Sequence, residues 1–241
     1  MKRFLTICFS FLMIFSLTAC GGNQESASPS PASQQEETQN TQAASSSEEG
    51  NSSQDNNGGS TDSKILIAYF TAAENSGVDA VSSASYSTVN GTAVGRLRAV
   101  ADMIQAETGG ELFSIQTSVA YPADGGELID YASKEQEDNA RPELTSQIEN
   151  LDQYETVFVG FPTWWYDMPQ ALYSFFDAYD FSGKTIIPFN VHNGSRFSGT
   201  IDTIQELEPD AEVITDGFTV SERDVSDASG DVAEWLGGLG Y

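Results

Sequence analysis

Residues 64–241 alternate between continuous apolar runs and segments whose apolar residues recur every three or four positions. A run such as 65–70 is typical of a strand buried on both faces, whereas the spacing of Leu97, Val100 and Ile104 is typical of one helix face. The pattern predicts strands over 64–70, 111–117, 156–159, 184–191 and 211–220, and helices over 95–108, 124–139, 170–179, 198–207 and 226–239. Residues 72–90 are small and polar and are expected to form a long excursion. With no extended antiparallel pattern, this alternation predicts an α/β fold: a five-stranded parallel sheet with helices on both faces.

The segment 160–169 lies where the third predicted strand passes into a helix, and it contains Trp164, Trp165 and Tyr166. In open parallel sheets, ligands bind beyond the carboxyl ends of the strands. A large aromatic surface in that position suits a planar ring system. The alternative is that the two tryptophans cover the sheet edge. Asp167 is expected to cap the following helix, and Pro169 suits its first turn because no N–H is needed there.

The N-terminus resembles a bacterial lipoprotein signal. Lys2 and Arg3 precede an apolar run over 4–17, which is too short to span a membrane as a stable helix. The sequence LTACG at 17–21 resembles a lipobox, which predicts cleavage after residue 19 and lipidation of Cys20. The alternative is an ordinary secretory signal with a coincidental cysteine. Residues 1–19 are therefore predicted to be a signal peptide and the product to be an extracytoplasmic protein anchored to the membrane by lipid.

Residues 20–63 are rich in Ser, Gln, Asn and Glu and contain no aromatic or basic residue. Such a segment buries too little apolar surface to offset the entropy of ordering, so we predict a disordered tether. The region 64–241 is long enough for one domain with a full core.

Charge and composition exclude several classes of function. The chain has a net charge of −26, and loss of Lys2 and Arg3 with the signal makes the mature form −28. This charge argues against nucleic acid and against adhesion to anionic lipid headgroups. The two cysteines, Cys8 and Cys20, both precede residue 64, so the domain has no disulfide and no cysteine nucleophile. With a single histidine, His192, no Cys/His metal cluster is possible.

Several segments resemble one known family. They are ILIAYF at 65–70, ETGGELF at 107–113, YPAD at 121–124, NARPEL at 139–144, GFPTWW at 160–165, FSGKTIIPF at 181–189 and HNGS at 192–195. Over essentially all of 64–241, the chain resembles the flavodoxin-like family found as secreted lipoproteins in anaerobic bacteria. The resemblance implies a doubly wound parallel sheet of order 2-1-3-4-5 and FMN bound by three loops.

The family's three loops map onto named positions in this chain. The first loop follows the first strand and holds the phosphate; its candidates are Thr71, Thr92, Gly95 and Arg96. The second lies beside the isoalloxazine ring and is matched by Pro162, Thr163, Trp164, Trp165 and Tyr166. The third follows the fourth strand and is matched by His192, Asn193, Gly194 and Ser195. Trp165 leads Trp164 as the stacking candidate because it lies nearer the helix start.

The first loop departs from the family pattern. Related sequences usually have Gly-Asn-Thr before the first helix, whereas this chain has Gly95-Arg96-Leu97. Leu97 supplies no hydroxyl, but the Arg96 guanidinium pairs strongly with phosphate. A competing alignment places Asn90-Gly91-Thr92 at this position and adds a turn to the helix.

Three functions remain open. The first is an FMN-binding electron carrier whose acidic surface lowers the flavin potential and which serves a redox partner protein or a small-molecule acceptor. The second is an FMN-dependent oxidoreductase that reduces quinones or similar acceptors, with His192 as a candidate proton donor. The third is a binding module that has lost flavin. A hydrolytic triad of Ser195, His192 and Asp167 is rejected because no Gly-x-Ser-x-Gly elbow is present.

Overall fold

The computed structural model describes residues 64–76, 86–89, 92–122 and 125–241. The predicted signal over 1–19 and the tether over 20–63 lie outside these residues. The strands are β1 (Lys64–Tyr69), β2 (Tyr86–Val89), β3 (Thr92–Gly95), β4 (Glu111–Ser114), β5 (Tyr154–Pro162), β6 (Thr185–His192), β7 (Glu212–Val213) and β8 (Phe218–Ser221). The helices are α1 (Ala72–Ser76), α2 (Arg96–Thr108), α3 (Gly125–Glu137), α4 (Gln170–Ala178), α5 (Thr200–Leu207) and α6 (Ser229–Leu239).

The main sheet is parallel throughout and has the order β4-β1-β5-β6, with β7 and β8 both pairing with β6. Counted along the chain, with β7 and β8 as one interrupted fifth strand, this is the order 2-1-3-4-5. The predicted doubly wound α/β fold is therefore confirmed. The order reverses between β1 and β5, which places a topological switch point beside the central strands.

Both faces of the sheet are covered, as the continuous apolar strands require. Successive residues of β1 point to opposite faces, so that Leu66 and Ala68 join one apolar cluster while Ile67 and Tyr69 join the other. The first cluster includes buried residues of α3, α4 and α5, and the second includes those of α2 and α6.

The sequence predicted a continuous fifth strand over 211–220, but in the structure this strand is interrupted. The carbonyls of Lys184, Ile186 and His192 accept hydrogen bonds from amides along the fifth strand, so alternate residues of β6 face it. Pro188 faces the same side and has no N–H to donate, which interrupts the ladder. Gly217 passes so close that an added Cβ would lie 2.6 Å from the Pro188 carbonyl oxygen. The strand therefore divides into β7 and β8.

The excursion predicted over 72–90 contains regular structure. Helix α1 follows β1 directly, and β2 pairs with β3 in an antiparallel hairpin that leads into α2. The expectation of no antiparallel pattern was therefore wrong at this insertion. The helix predicted from residue 95 begins at Arg96 because Gly95 ends β3.

Candidate functional site

Three segments converge on one edge of the sheet. The Trp loop (163–169) follows the carboxyl end of β5, and the third loop (193–195) follows the carboxyl end of β6. Helix α2 ends two residues before the start of β4, at the opposite edge of the sheet, so the N-terminus of α2 points toward the edge where the two loops lie. The strand order reverses here, so this edge is where ligands bind in folds of this class.

The centre of the Trp loop is a tight turn with unusual residues. The Trp164 amide donates to the Asp167 carbonyl at 2.8 Å, and the Asp167 amide donates back to Trp164 at 2.9 Å. The two central residues, Trp165 and Tyr166, have φ values of 49° and 63°. Bulky residues rarely adopt positive φ, and such outliers concentrate at ligand sites. The backbone strain here is associated with presenting two aromatic side chains at the surface.

The two tryptophans have different surroundings. Trp164 is 7% exposed, and its ring packs against Phe70 and Tyr121, each with a ring centroid 5.6 Å away. Trp165 is 46% exposed, and its indole Nε1 donates to the Ile129 carbonyl on α3 at 2.8 Å. The structure therefore makes Trp164 part of the core and leaves Trp165 partly exposed beside α3.

Asp167 does not cap α4, contrary to the sequence prediction. The helix begins at Gln170, and the residue before it, Pro169, makes no side-chain cap. The Asp167 carboxylate instead accepts the Met168 amide at 2.8 Å and the Tyr173 hydroxyl at 2.9 Å. The first bond lies within the Trp loop and the second joins that loop to α4, so Asp167 connects the loop to the helix without capping its first turn.

Asn190, a fully buried residue of β6, joins the Trp loop to the segment after the third loop. Its Nδ2 donates to Thr163 Oγ1 at 2.6 Å and to the Arg196 carbonyl at 2.9 Å. The Thr163 hydroxyl donates to the same carbonyl at 2.7 Å. We call this group the loop clasp (Thr163, Asn190 and Arg196). It fixes the spacing between the two loops.

The third loop depends on Gly194 and His192. Gly194 has a φ of 100°, and its amide donates to His192 Nδ1 at 2.8 Å. Burial, together with the nearby Arg196 charge, lowers the pKa of His192. The folded protein therefore favours the neutral imidazole, which can accept this hydrogen bond. Because the pKa is lowered on folding, this contribution to stability is present above the usual histidine pKa and is lost as pH falls.

The Trp loop, the third loop and α3 enclose a cavity of about 410 Å³. Seven predicted residues line it: Thr163, Trp164, Trp165, Tyr166, Asn193, Gly194 and Ser195. Leu128, Ile129 and Ala132 of α3 also line it, and none of them was predicted as a site residue. Their helical spacing was the available signal, but it did not distinguish a core face from a cavity wall. Pro162 ends β5 and, like His192, is buried outside the cavity wall.

The first-loop residues lie apart from this wall. Thr71 is fully buried, and its carbonyl accepts from Asn75 Nδ2 at 2.9 Å. Gly95 precedes α2 as its N-cap residue, and Arg96 is the first residue of the helix. The Arg96 Nε is buried and has no hydrogen-bond partner among the described residues. Thr92 begins β3, but its side chain, with Asn90 and Gly91 of the competing alignment, lies outside the described residues.

Helix α1 is fixed to the sheet by side chains. Asn75 Oδ1 accepts the Thr117 amide at 2.8 Å, and Glu74 forms an ion pair with Arg98 of α2 at 3.2 Å. The Tyr69 hydroxyl donates to Glu74 and accepts from Arg98 at 2.8 Å. Arg98 is thus committed to this network, whereas the Arg96 Nε remains available.

No group of His, Cys, Asp and Glu suited to a metal ion occurs within the described residues. In the same part of the chain, no helix is both long enough and apolar enough to cross a bilayer.

The family model named Flavodoxin matches residues 64–238, and the chain belongs to this family. Among solved structures, it is similar to a candidate flavoprotein from Bacteroides uniformis ATCC 8492, with 26% identity, a TM-score of 0.56, and coverage of 73% of this chain and 98% of that one. A candidate flavoprotein from Bacteroides eggerthii DSM 20697 has 26% identity and a TM-score of 0.53, with coverage of 71% and 99%. No curated protein matches.

A third similar structure is a flavoprotein in complex with FMN from Lactobacillus acidophilus NCFM. It has 18% identity and a TM-score of 0.48, with coverage of 70% of this chain and 99% of that one. Membership of the Flavodoxin family supports FMN as the cofactor of this chain and a role in flavin-dependent electron transfer.

Proposed function

We propose that this chain is an extracytoplasmic, lipid-anchored electron carrier that binds FMN at the described cavity. The observation that carries the proposal is the cavity of about 410 Å³ between Trp165 and the third loop, at the edge of the sheet where the strand order reverses. Its volume lies within the range typical of cofactor sites. Its walls combine apolar side chains with the polar third loop, in which Asn193 and Gly194 are exposed, and this combination suits a flat ring with polar edges.

The ring of the flavin fits the residues present. Trp165 and Tyr166 line the cavity and offer aromatic faces to a planar ligand. Leu128 and Ala132 supply an apolar wall on α3. The loop clasp and the Gly194–His192 hydrogen bond hold these walls before any ligand arrives, which reduces the entropic cost of binding.

The phosphate fits Arg96. The Arg96 side chain is half-buried at the N-terminus of α2, and its unpartnered Nε is a donor that a phosphate oxygen would satisfy. Helix N-termini favour anions because their amides and dipole point toward the ligand. Arg96 would therefore replace the side-chain donors that Asn and Thr supply in related sequences.

The bound flavin supplies the one- and two-electron chemistry, and the protein sets its potential and exposes it to partners. The net charge of −26 disfavours further negative charge in the cavity, which lowers the reduction potential. Screening by salt reduces the contribution of exposed charges. The same surface suits a basic or neutral redox partner and repels an anionic nicotinamide cofactor.

An oxidoreductase that reduces quinones or similar acceptors is the second candidate. The observation in its favour is that Trp165 and Tyr166 are 46% and 73% exposed, so that a planar acceptor can reach the cavity mouth. The third candidate function is a binding module without flavin. The altered sequence of the first loop is the observation that supports it.

The absorbance spectrum of the purified mature chain, followed by turnover assays, distinguishes these functions. We expect flavin bands, reduction by a one-electron donor and reoxidation by a protein or small-molecule acceptor, without steady turnover of NADH or NADPH. Steady turnover with either nucleotide would favour the oxidoreductase. A spectrum without flavin, unchanged after incubation with FMN, would favour the third function.

Anchoring through Cys20 has a separate test in cell fractionation. We expect the Cys20→Ser variant to leave the membrane fraction, because several lipid chains hold a protein durably whereas a net charge of −26 disfavours adhesion to anionic headgroups. Cys8→Ser, the matched control, lies in the predicted signal and should leave anchoring unchanged. Equal membrane retention of Cys20→Ser and the unmodified chain would contradict lipid anchoring.

A further inference from the structure

Helix α3 carries a buried carboxyl group one turn beyond the cavity. Its buried stripe consists of Leu128, Ala132 and Glu135, and the first two of these residues line the cavity wall. Glu135 continues the stripe and is only 7% exposed. A glutamate is rarely buried to this extent unless it is paired with a cation.

The hydrogen bonds of Glu135 are few. Its Oε1 accepts the Tyr121 hydroxyl at 3.4 Å, a long contact, and its Oε2 is buried without a partner among the described residues. The Tyr121 ring packs against Trp164, which lines the cavity, with ring centroids 5.6 Å apart. Glu135 is thus connected to the cavity by Tyr121 and Trp164 and by the turn of α3 that contains Ala132.

The charged groups around Glu135 are already paired. A second cavity of about 270 Å³ is lined by Glu135, Tyr131, Lys134, Asp138 and Arg141, among others. Lys134 pairs with Asp138, and the Arg141 Nε pairs with Asp177 at 2.8 Å. Because Lys134 and Asp138 are exposed, this second cavity gives a proton from solvent a route to Glu135.

Burial disfavours the charged form of Glu135 and raises its pKa to about 7. The Tyr121 hydrogen bond acts in the opposite direction but has the smaller effect. Burial and the Glu135 charge also raise the pKa of Tyr121, so Tyr121 stays protonated as the hydrogen-bond donor. Glu135 therefore exchanges its proton near neutral pH.

We propose that Glu135 is a proton-binding site coupled to the charge in the flavin cavity, so that added negative charge in the cavity draws one proton from solvent onto Glu135. This inference rests on the proposed function, because the flavin is the group that gains charge. The electron comes from the redox donor and the proton from solvent, and no covalent bond of the chain changes except the O–H formed on Glu135. Coupling is reciprocal, so protonation of Glu135 also favours reduction.

The first test follows the Glu135 carboxyl carbon by NMR as pH is varied, in the protein without FMN, with oxidised FMN and with reduced FMN. We expect a midpoint near neutral pH without FMN and a higher midpoint with reduced than with oxidised FMN. An ordinary glutamate midpoint, or equal midpoints in the two FMN-bound forms, would overturn the proposal. Failure of FMN to bind would overturn the proposed function and this coupling with it, whereas FMN binding with equal midpoints overturns the coupling alone.

The second test compares Glu135→Gln with Glu137→Gln, an exposed neighbour on α3 with the same charge change. Because folding raises the Glu135 pKa, the contribution of Glu135 to the stability of the unmodified chain is lost as pH rises toward and through 7. In the unmodified chain without FMN, we expect Glu135 to raise the unfolding constant by about tenfold or more between pH 5 and pH 8. This rise should be absent from Glu135→Gln. With FMN bound, the reduction potential of the flavin should depend less on pH in Glu135→Gln than in the unmodified chain. Glu137→Gln should change neither property, and identical behaviour of the two variants would overturn the proposal.

Discussion

The two halves of the candidate FMN site are built in different ways. The ring half consists of the Trp loop, the third loop and the α3 wall, which are joined by short hydrogen bonds around one cavity. The phosphate half consists of the insertion between β1 and α2, in which Glu74 of α1 accepts from Tyr69 of β1, and of the start of α2, where Arg96 has an unpartnered Nε. Among the described residues, the ring half has one buried acceptor without a partner, Asn190 Oδ1, whereas the unpartnered buried group of the phosphate half is a donor, Arg96 Nε.

This difference separates the two contributions to binding. Changes in the ring half should affect FMN and riboflavin alike, because both ligands contain the isoalloxazine. Changes in the phosphate half should affect FMN alone, because riboflavin has no phosphate. The four predictions below use this contrast and begin with the largest effect.

Trp164 and Trp165 should differ most within the ring half. Trp164→Ala removes a buried ring from the aromatic cluster with Phe70 and Tyr121 and should lower the free energy of unfolding by about 3–5 kcal/mol. Trp165→Ala should cost about 1 kcal/mol of stability or less. It should weaken flavin binding by about 0.5–1.5 kcal/mol.

Trp165→Ala should also raise the flavin potential, because an electron-rich indole disfavours the reduced ring. Denaturant unfolding, flavin titration and potentiometry measure the three quantities. Unchanged binding and potential in Trp165→Ala would make the Trp loop purely structural.

Asn190→Ala should loosen the loop clasp. It leaves the Thr163 hydroxyl and the Arg196 carbonyl with fewer partners in a buried site, at a cost of about 1–3 kcal/mol in the free energy of unfolding. Affinities for FMN and riboflavin should fall by the same factor, as titration of both ligands would show. The control is Asn193→Ala, which removes an exposed amide and should leave stability unchanged. If Asn190→Ala were as stable as the unmodified chain, the loop clasp would not contribute to the stability of the fold.

Arg96→Ala tests the phosphate half. Loss of a charged hydrogen bond should weaken FMN binding by about 1–3 kcal/mol while riboflavin binding stays constant. Calorimetric titration of both ligands makes the comparison. Arg223→Ala changes the same charge at an exposed position and controls for the general field of the protein. An equal loss for both ligands in Arg96→Ala would assign Arg96 to the fold and not to the phosphate.

The strained turn gives the smallest effect. At Tyr166, where φ is 63°, glycine is free of the penalty that an alanine Cβ incurs. We expect Tyr166→Gly to be more stable than Tyr166→Ala by about 1 kcal/mol, the reverse of the usual order of these residues in regular structure. Thermal unfolding of the two variants measures the difference. If Tyr166→Ala were more stable than Tyr166→Gly, the turn would be able to relax without an energetic cost.

The sequence predicts the ring half better than the phosphate half for a physical reason. Aromatic residues directly after an apolar strand are a local signal, and the parallel fold brings such loops together. Helix α1 and the β2–β3 hairpin have no such signal, because their segment is small and polar. Asn75 and Glu74 fix α1 through partners such as Thr117 and Arg98, which are distant in the sequence.

Two other features depended on tertiary contacts. The α3 wall was missed because periodicity identifies the buried face of a helix but not whether that face meets a core or a cavity. Asp167 has the residue type of a helix cap, but the competing bonds to Met168 and Tyr173 decide its role. In contrast, the break in the fifth strand has a sequence signal in Pro188, which becomes informative once the register is known.

The three tryptophan indole N–H resonances, observed while FMN is added to the ¹⁵N-labelled protein, test the central claim most directly. Trp165 lines the cavity, whereas Trp235 lies on α6, where its Nε1 donates to the Asp216 carbonyl at 2.8 Å. Because that bond anchors Trp235 away from the cavity wall, the Trp235 indole resonance serves as an internal reference. We predict a large shift of the Trp165 indole that saturates at one FMN per chain, with little change at Trp235. An unmoved Trp165 indole at saturating FMN, or equal shifts at Trp165 and Trp235, would contradict the proposed site.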